Sequence, residues 1–182
     1  TDYAGVVLSA TNGPVGPLRS IGAFIARIEV LRCGFKKPSK LLTTMSFGAF
    51  NKPYQPARTD FEWLSRDAAE VDKYVADPLC GFEVCTSLWR DMLDGLGKLH
   101  RAQDIGRIAK DLPVFVMSGS NDPVGDYTKG VKKLLDLYAA GGLTKVAHKF
   151  YDDARHEIFN ETNRDEVTAD LVNWLSEISP AV

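Results

Sequence analysis

The sequence has no basic run. Its 22 lysines and arginines are met by 24 acids, leaving a formal charge of −2, and nowhere do cations alternate with aromatic residues, so a nucleic-acid surface is excluded. Cysteine and histidine are equally sparse, with three of each. Cys33, Cys80 and Cys85 fall at no ligand-like spacing from His100, His148 and His156, so no metal site is expected. An odd number of cysteines does not close a disulfide framework; reduced thiols and a cytoplasmic setting are the expectation. No apolar stretch reaches the roughly 20 residues that a membrane-spanning helix needs.

What the chain does have is enough apolar residue, 45% of 182, to bury one sizeable core, as one domain or one domain with an insertion. Its most informative stretch is Leu112 to Gly125. Val114 to Met117 is uninterrupted by charge, as in a parallel strand covered on both faces, and Gly119 to Pro123 is a cluster of turn formers. Asp122 therefore stands just past the strand's carboxyl end. A second β-prone run, Lys145 to Tyr151, leads into a loop that presents His156. Between them, Asp126 to Ala140 carries Val131, Leu134, Leu135 and Tyr138 at helical spacing, with Gly141-Gly142 as the stop. A strand-helix-strand unit with the usual right-handed crossover sends Asp122 and His156 out of the same sheet edge. There a carboxylate can orient a histidine as general base.

The chain opens on Thr1, and Ala4 to Ala10 already reads as a strand of the kind found inside parallel sheets; the expectation is that an N-terminal half of the protein precedes it. From Gly13 to Lys110 no convincing strand occurs. Pro17 opens a helix with Leu18, Ile21, Phe24, Ile25, Ile28 and Leu31 on one face, stopping near Gly34. Short helices are expected around Phe61-Leu64 and Ala68-Val75, and a longer one carries Leu88, Met92, Leu93, Leu96 and Leu99, weakened by Gly95 and Gly97. The expected division is a core strand in 1–12, a helical insertion in 13–110 that lies as a lid over a pocket, and a C-terminal core in 111–182. Asn163 with Glu166 reads as a capping box opening the last helix.

Three segments in order, Glu70-Val71-Asp72-Lys73-Tyr74-Val75-Ala76-Asp77-Pro78-Leu79-Cys80, Leu112 to Val124, and Phe150 to Glu157, resemble the monoacylglycerol lipase and lysophospholipase branch of the α/β-hydrolases, also catalogued as serine aminopeptidase S33. The resemblance implies an α/β fold, a parallel sheet with a helical cap, and triad roles for Asp122 and His156. It also implies a nucleophile serine in a G-x-S-x-G elbow, which this sequence does not contain. Thr44-Met45-Ser46-Phe47-Gly48 lacks the first glycine and falls in the insertion, while Ser9, Ser118 and Ser120 read as strand or turn residues. His100 and His148 carry no second signal, Asp152 and Asp153 no ligand pattern, and Cys80 and Cys85 read as buried fillers, Cys80 near the pocket.

The function expected from the resemblance is a serine hydrolase that cleaves a carboxylic ester of a small-molecule or lipid-like substrate, with its serine upstream of Thr1 and no metal or organic cofactor. Two alternatives stand beside it: an aminopeptidase or amidase of the same fold, and a non-catalytic binding or scaffold protein that lacks the nucleophile.

Overall fold

The computed structural model describes residues 3–179. In chain order the elements are β1 (Val6–Ser9), α1 (Pro17–Cys33), α2 (Lys40–Phe47), α3 (Ala68–Ala76), α4 (Thr86–Leu99), α5 (Ala102–Ile105), β2 (Val114–Gly119), α6 (Lys129–Ala140), β3 (Val146–Tyr151) and α7 (Arg164–Ile178), with single 3-10 turns at Lys52–Tyr54 and Ile158–Asn160. The strands form one parallel sheet in the order β1-β2-β3. Val6 pairs with Val114 and Ser9 with Met117 on one side of β2; Val114 pairs with Val146 and Gly119 with Tyr151 on the other.

All six residues of β2 are buried, which is why its sequence is apolar without alternation. Its side chains divide between two layers. Phe115 and Met117 pack with Tyr151, Ala154, Ile158 and with Val167 and Trp174 of α7. Val114 and Val116 pack with Ile105 of α5, Val131 of α6 and Leu143. The strand is thus clamped between helices, and its carboxyl end is fixed by both layers. β1, expected as an interior strand, is the edge of the sheet among the described residues, and Val6, Val7 and Leu8 are only half-buried.

The helices between β1 and β2 have a smaller core of their own, Ala26, Leu42 and Trp89, flanked by Ile25, Val84 and Leu93. Here the structure departs from the sequence expectation. Leu18, Ile21, Phe24, Ile28 and Leu31 face outward, and α1 instead buries Ala23, Ala26, Glu29 and Val30. The reason is close approach: small residues let α1 lie against α4, where Gly22 meets Leu93 and Arg19 crosses over Gly97 to donate to the Leu93 carbonyl at 3.1 Å. Gly97 thereby leaves room for a guanidinium rather than merely weakening its helix. Glu29 is buried, and Arg32 and the Ser39 hydroxyl donate to its carboxylate; chiefly through Arg32, its pKa is held down to about 2.

Other boundaries also move. Phe61–Leu64 is a hydrogen-bonded turn, closed by Leu64 N–H to the Phe61 carbonyl at 3.0 Å, rather than a helix. α6 begins at Lys129 instead of Asp126, because Asp126, Tyr127 and Thr128 all adopt positive φ of 51°, 51° and 71°. The capping box at α7 does not form: Asn163 caps no backbone N–H, its amide nitrogen donates to Glu166 at 3.1 Å, and its oxygen accepts from Arg66 at 2.9 Å.

Since Met117 is fully buried at the centre of one layer, Met117→Ala is expected to destabilise the complete protein by about 2–5 kcal/mol. Met45→Ala, at an exposed position of α2, should change stability by no more than about 0.5 kcal/mol. Urea unfolding of the two variants checks the contrast.

Candidate active site

Asp122 lies three residues beyond β2. Its carboxylate has no exposed surface, so its oxygens need donors from the protein. Oδ1 accepts the backbone N–H of Val124 at 2.8 Å, and His156 Nδ1 stands 3.2 Å from Oδ1 and 3.1 Å from Oδ2. A carboxylate only accepts, so Nδ1 carries the proton, and in the neutral ring Nε2 then holds the lone pair. The imidazole side chain is 26% exposed. It borders a concavity of about 410 Å³ whose other walls include Ser9 and Ala10 at the end of β1 and Ile158 and Phe159. This arrangement can accept a proton at Nε2 while the carboxylate holds the ring and stabilises the cation that forms.

The local backbone is shaped to keep Asp122 there. Tyr127 N–H donates to the Asp122 carbonyl at 2.9 Å and Gly130 N–H to the Gly125 carbonyl at 3.0 Å, which wraps the loop around the carboxylate. That wrapping needs the three left-handed residues before α6. None is glycine, and each costs about 1–2 kcal/mol. Gly119 is the point of closest approach to the histidine loop. A Cβ there would stand 2.1 Å from the Ala154 carbonyl oxygen and 2.2 Å from that of Arg155.

The helical segment between β1 and β2 reaches the same loops. Tyr54 O–H donates to the Asn121 carbonyl, and burial pushes the Tyr54 phenol's pKa up. The backbone N–H groups of His156 and Glu157 donate to the carbonyls of Trp63 and Leu64, at 3.3 and 2.8 Å. The Trp63 ring lies 5.3 Å from the imidazole, centroid to centroid, and stacks against Phe47 at 6.2 Å. Trp63 was not anticipated as a site residue; its only sequence signal is that it is aromatic within a short apolar cluster.

A larger cavity, about 630 Å³, opens inside the helical segment. Phe47, Phe61, Trp63, Tyr74, Phe82 and Trp89 line it, together with Cys80 and Asp60, the one acid among the described lining residues. Neither Asp122 nor His156 is among the residues that line this cavity, and Trp63, which lines it, also lies beside the imidazole.

The remaining candidates lie apart from the pair. Ser46 is within α2, not at a strand-to-helix elbow. Ser118 is buried in β2, and Ser120 accepts the N–H of Asp153 at 2.8 Å. Asp153 turns the loop with φ 58° and accepts from Asn121 at 3.4 Å. His148 sits on β3 with its ring 5.2 Å from Phe150. His100 ends α4, where burial lowers its pKa. Cys85 starts α4 with its Sγ 3.2 Å from Ser87 Oγ. Among the described residues no helix is long and apolar enough to cross a membrane.

A parallel sheet layered between helices, delivering an acid and a histidine from successive strands to one edge, defines an α/β-hydrolase fold. Solved structures bear this out. A highly thermostable carboxyl esterase from Bacillus coagulans, in complex with glycerol, superposes with a TM-score of 0.84 at 22% identity, over 97% of this chain and 57% of its own. A monoacylglycerol lipase from Paleococcus ferrophilus gives 0.67 at 20% identity, over 97% and 60%. A soluble variant of monoglyceride lipase from Saccharomyces cerevisiae, in complex with a substrate analogue, gives 0.67 at 20% identity, over 97% and 56%. The chain thus spans less than two thirds of the length of these structures. The family model described as serine aminopeptidase, S33, matches residues 1–163, and the chain belongs to that family.

Because the atoms facing Gly119 are backbone carbonyls, Gly119→Ala has no flexible side chain to displace. It is expected to cost about 1–3 kcal/mol or more and to push the loop carrying His156 away from Asp122. Denaturation of the variant and its crystal structure check this; an Nδ1-to-carboxylate distance unchanged from wild type would contradict it.

Proposed function

We propose that the complete protein is a serine hydrolase that cleaves carboxylic esters of lipid-like substrates, with Asp122 and His156 as two of its three catalytic residues and a serine outside these 182 residues as the nucleophile. The observation that carries the reading is the buried Asp122 carboxylate spanning Nδ1 of an imidazole that borders an open concavity. A serine brought to that concavity would meet Nε2. Its Oγ attacks the acyl carbon as Nε2 takes the hydroxyl proton; the imidazolium, stabilised by Asp122, returns the proton to the departing alcohol. Water then repeats the sequence and releases the acid. This chemistry draws on no metal or organic cofactor.

Residues 13–110 act in this reading as a cap over the core strands in 1–12 and 111–182. The 630 Å³ cavity between its helices has the size of a small-molecule site and walls rich in aromatic residues, which suits an acyl group. Each buried methylene contributes about 0.8 kcal/mol. A second reading, a peptide or amide with a free amino end, is favoured by Asp60, the one acid on the cavity's described lining.

In the complete protein, kcat/KM for esters of one alcohol should rise about fourfold per added acyl methylene until the cavity is full. Asp122→Asn and His156→Ala should each lower kcat by about 10³-fold or more. A flat chain-length profile would remove the lipid-like substrate, and full activity in either variant would remove the mechanism. Asp60→Asn should leave ester turnover in place; selective loss of aminoacyl anilide hydrolysis would establish the second reading instead.

A further inference from the structure

Glu161 is a buried acid to which the proposed reaction assigns no step. It has no exposed surface, yet its carboxylate is fully occupied. Oε1 accepts the backbone N–H groups of Arg66 at 3.1 Å and Arg155 at 2.8 Å, and Oε2 accepts Arg66 Nε at 2.9 Å and the backbone N–H of Thr162 at 3.0 Å. All four partners are donors. One belongs to the residue immediately before His156, and two belong to Arg66, at the end of the segment that reaches in from the helical insertion.

That segment is fastened to both loops of the pair. Arg155 Nη1 donates to the carbonyls of Glu62 and Ser65, the latter at 2.9 Å, and its guanidinium lies 4.3 Å from the Tyr54 ring centroid. Tyr54 in turn donates to the carbonyl of Asn121, next to Asp122. Ser65 Oγ donates to the Asn160 carbonyl at 2.8 Å, beside Glu161. Residues 54–66 therefore bridge the carriers of the carboxylate and of the imidazole, and Glu161 is where that bridge, the histidine loop and the turn before α7 meet. A buried charge that is worth little as net stability can still select one geometry when every lone pair is matched.

We propose that Glu161 is a positioning residue: through Arg155 and Arg66 it holds His156 at the angle and distance that Asp122 requires. The assignment rests on the hydrolase reading above. It demands a carboxylate and not merely a polar side chain, since a glutamine amide would set its NH2 against two N–H donors. Misplacing a reacting group by about 1 Å costs on the order of 100-fold in rate, and substrate contacts are untouched, so the loss falls on kcat.

The test uses the complete protein with a soluble short-chain p-nitrophenyl ester, comparing wild type, Glu161→Gln, Arg66→Lys and His156→Ala. Folding is followed by circular dichroism and the imidazole by 15N NMR. The expected result is a kcat lowered about 10- to 100-fold in Glu161→Gln, KM within about twofold, and His156 Nδ1 resonances that lose the pattern of an N–H held by a carboxylate. Arg66→Lys, which leaves Glu161 its backbone donors, should move the same quantities in the same direction by less. A folded Glu161→Gln with wild-type kcat and wild-type His156 resonances overturns the proposal, as does a loss confined to KM. If Glu161→Gln does not fold, Arg66→Lys decides by the same criteria. Full activity in His156→Ala overturns the hydrolase reading itself, whereas inactive His156→Ala beside fully active Glu161→Gln overturns only the positioning role.

Discussion

A carboxylate without exposed surface is stable only where donors replace the water it has lost, and Asp122 is such a group. Its donors are the Val124 N–H and the His156 ring. The first is local to the Asp122 loop, but the imidazole does not reach the carboxylate unless β2 and β3 run parallel in register, with Gly119 opposite Tyr151, so that their loops leave one edge together. The burial of β2 on both faces fixes that edge, and the left-handed residues Asp126 to Thr128 close the loop around the acid. A single short interaction thus depends on layers of packing at both ends, and the strain beside it is held by the same packing.

The helical segment between β1 and β2 does two different things. Its α1, α2 and α4 pack on one another around Ala26, Leu42 and Trp89, and they contain the aromatic cavity. Its irregular stretch from Tyr54 to Arg66 is tied to the acid and histidine loops by hydrogen bonds from Tyr54, His156, Glu157 and Arg155. A cover that opens as one body would break all of these at once. Trp63, in contact with both the cavity wall and the imidazole, stands at the boundary.

How much of this the sequence discloses follows from the kind of signal each feature leaves. Val114 to Met117 announces a doubly covered strand because burial on both faces removes every charge, and the turn formers after it mark where Asp122 emerges. His156 follows one strand later from a weaker signal, the β-prone run Lys145 to Tyr151 and the loop after it, since β3 carries Lys149 and is only partly buried. The sequence resemblance to α/β-hydrolases agrees with the fold observed. Other features leave no such trace. The apolar spacing of Leu18, Ile21, Phe24, Ile28 and Leu31 marks a face, but periodicity does not say which face packs; the small Ala23 and Ala26 decide it by allowing α4 to approach. The left-handed run before α6 contains no glycine. Glu161 sits between Asn160 and Thr162 with no periodic pattern, and two of its donors come from Arg66, 95 residues away. Asn163 has the residue type of a cap, yet its oxygen is taken by Arg66.

The central claim is that His156, held by Asp122, activates a serine brought to it by the rest of the protein. Covalent labelling with a fluorophosphonate, followed by peptide mass spectrometry, tests this most directly because the reagent reports nucleophile activation without assuming any substrate. The account predicts a stoichiometric adduct on a serine outside residues 1–182 in the wild-type complete protein, formed orders of magnitude more slowly in His156→Ala. No adduct at all, an adduct on Ser46, or labelling at the same rate in His156→Ala would contradict it.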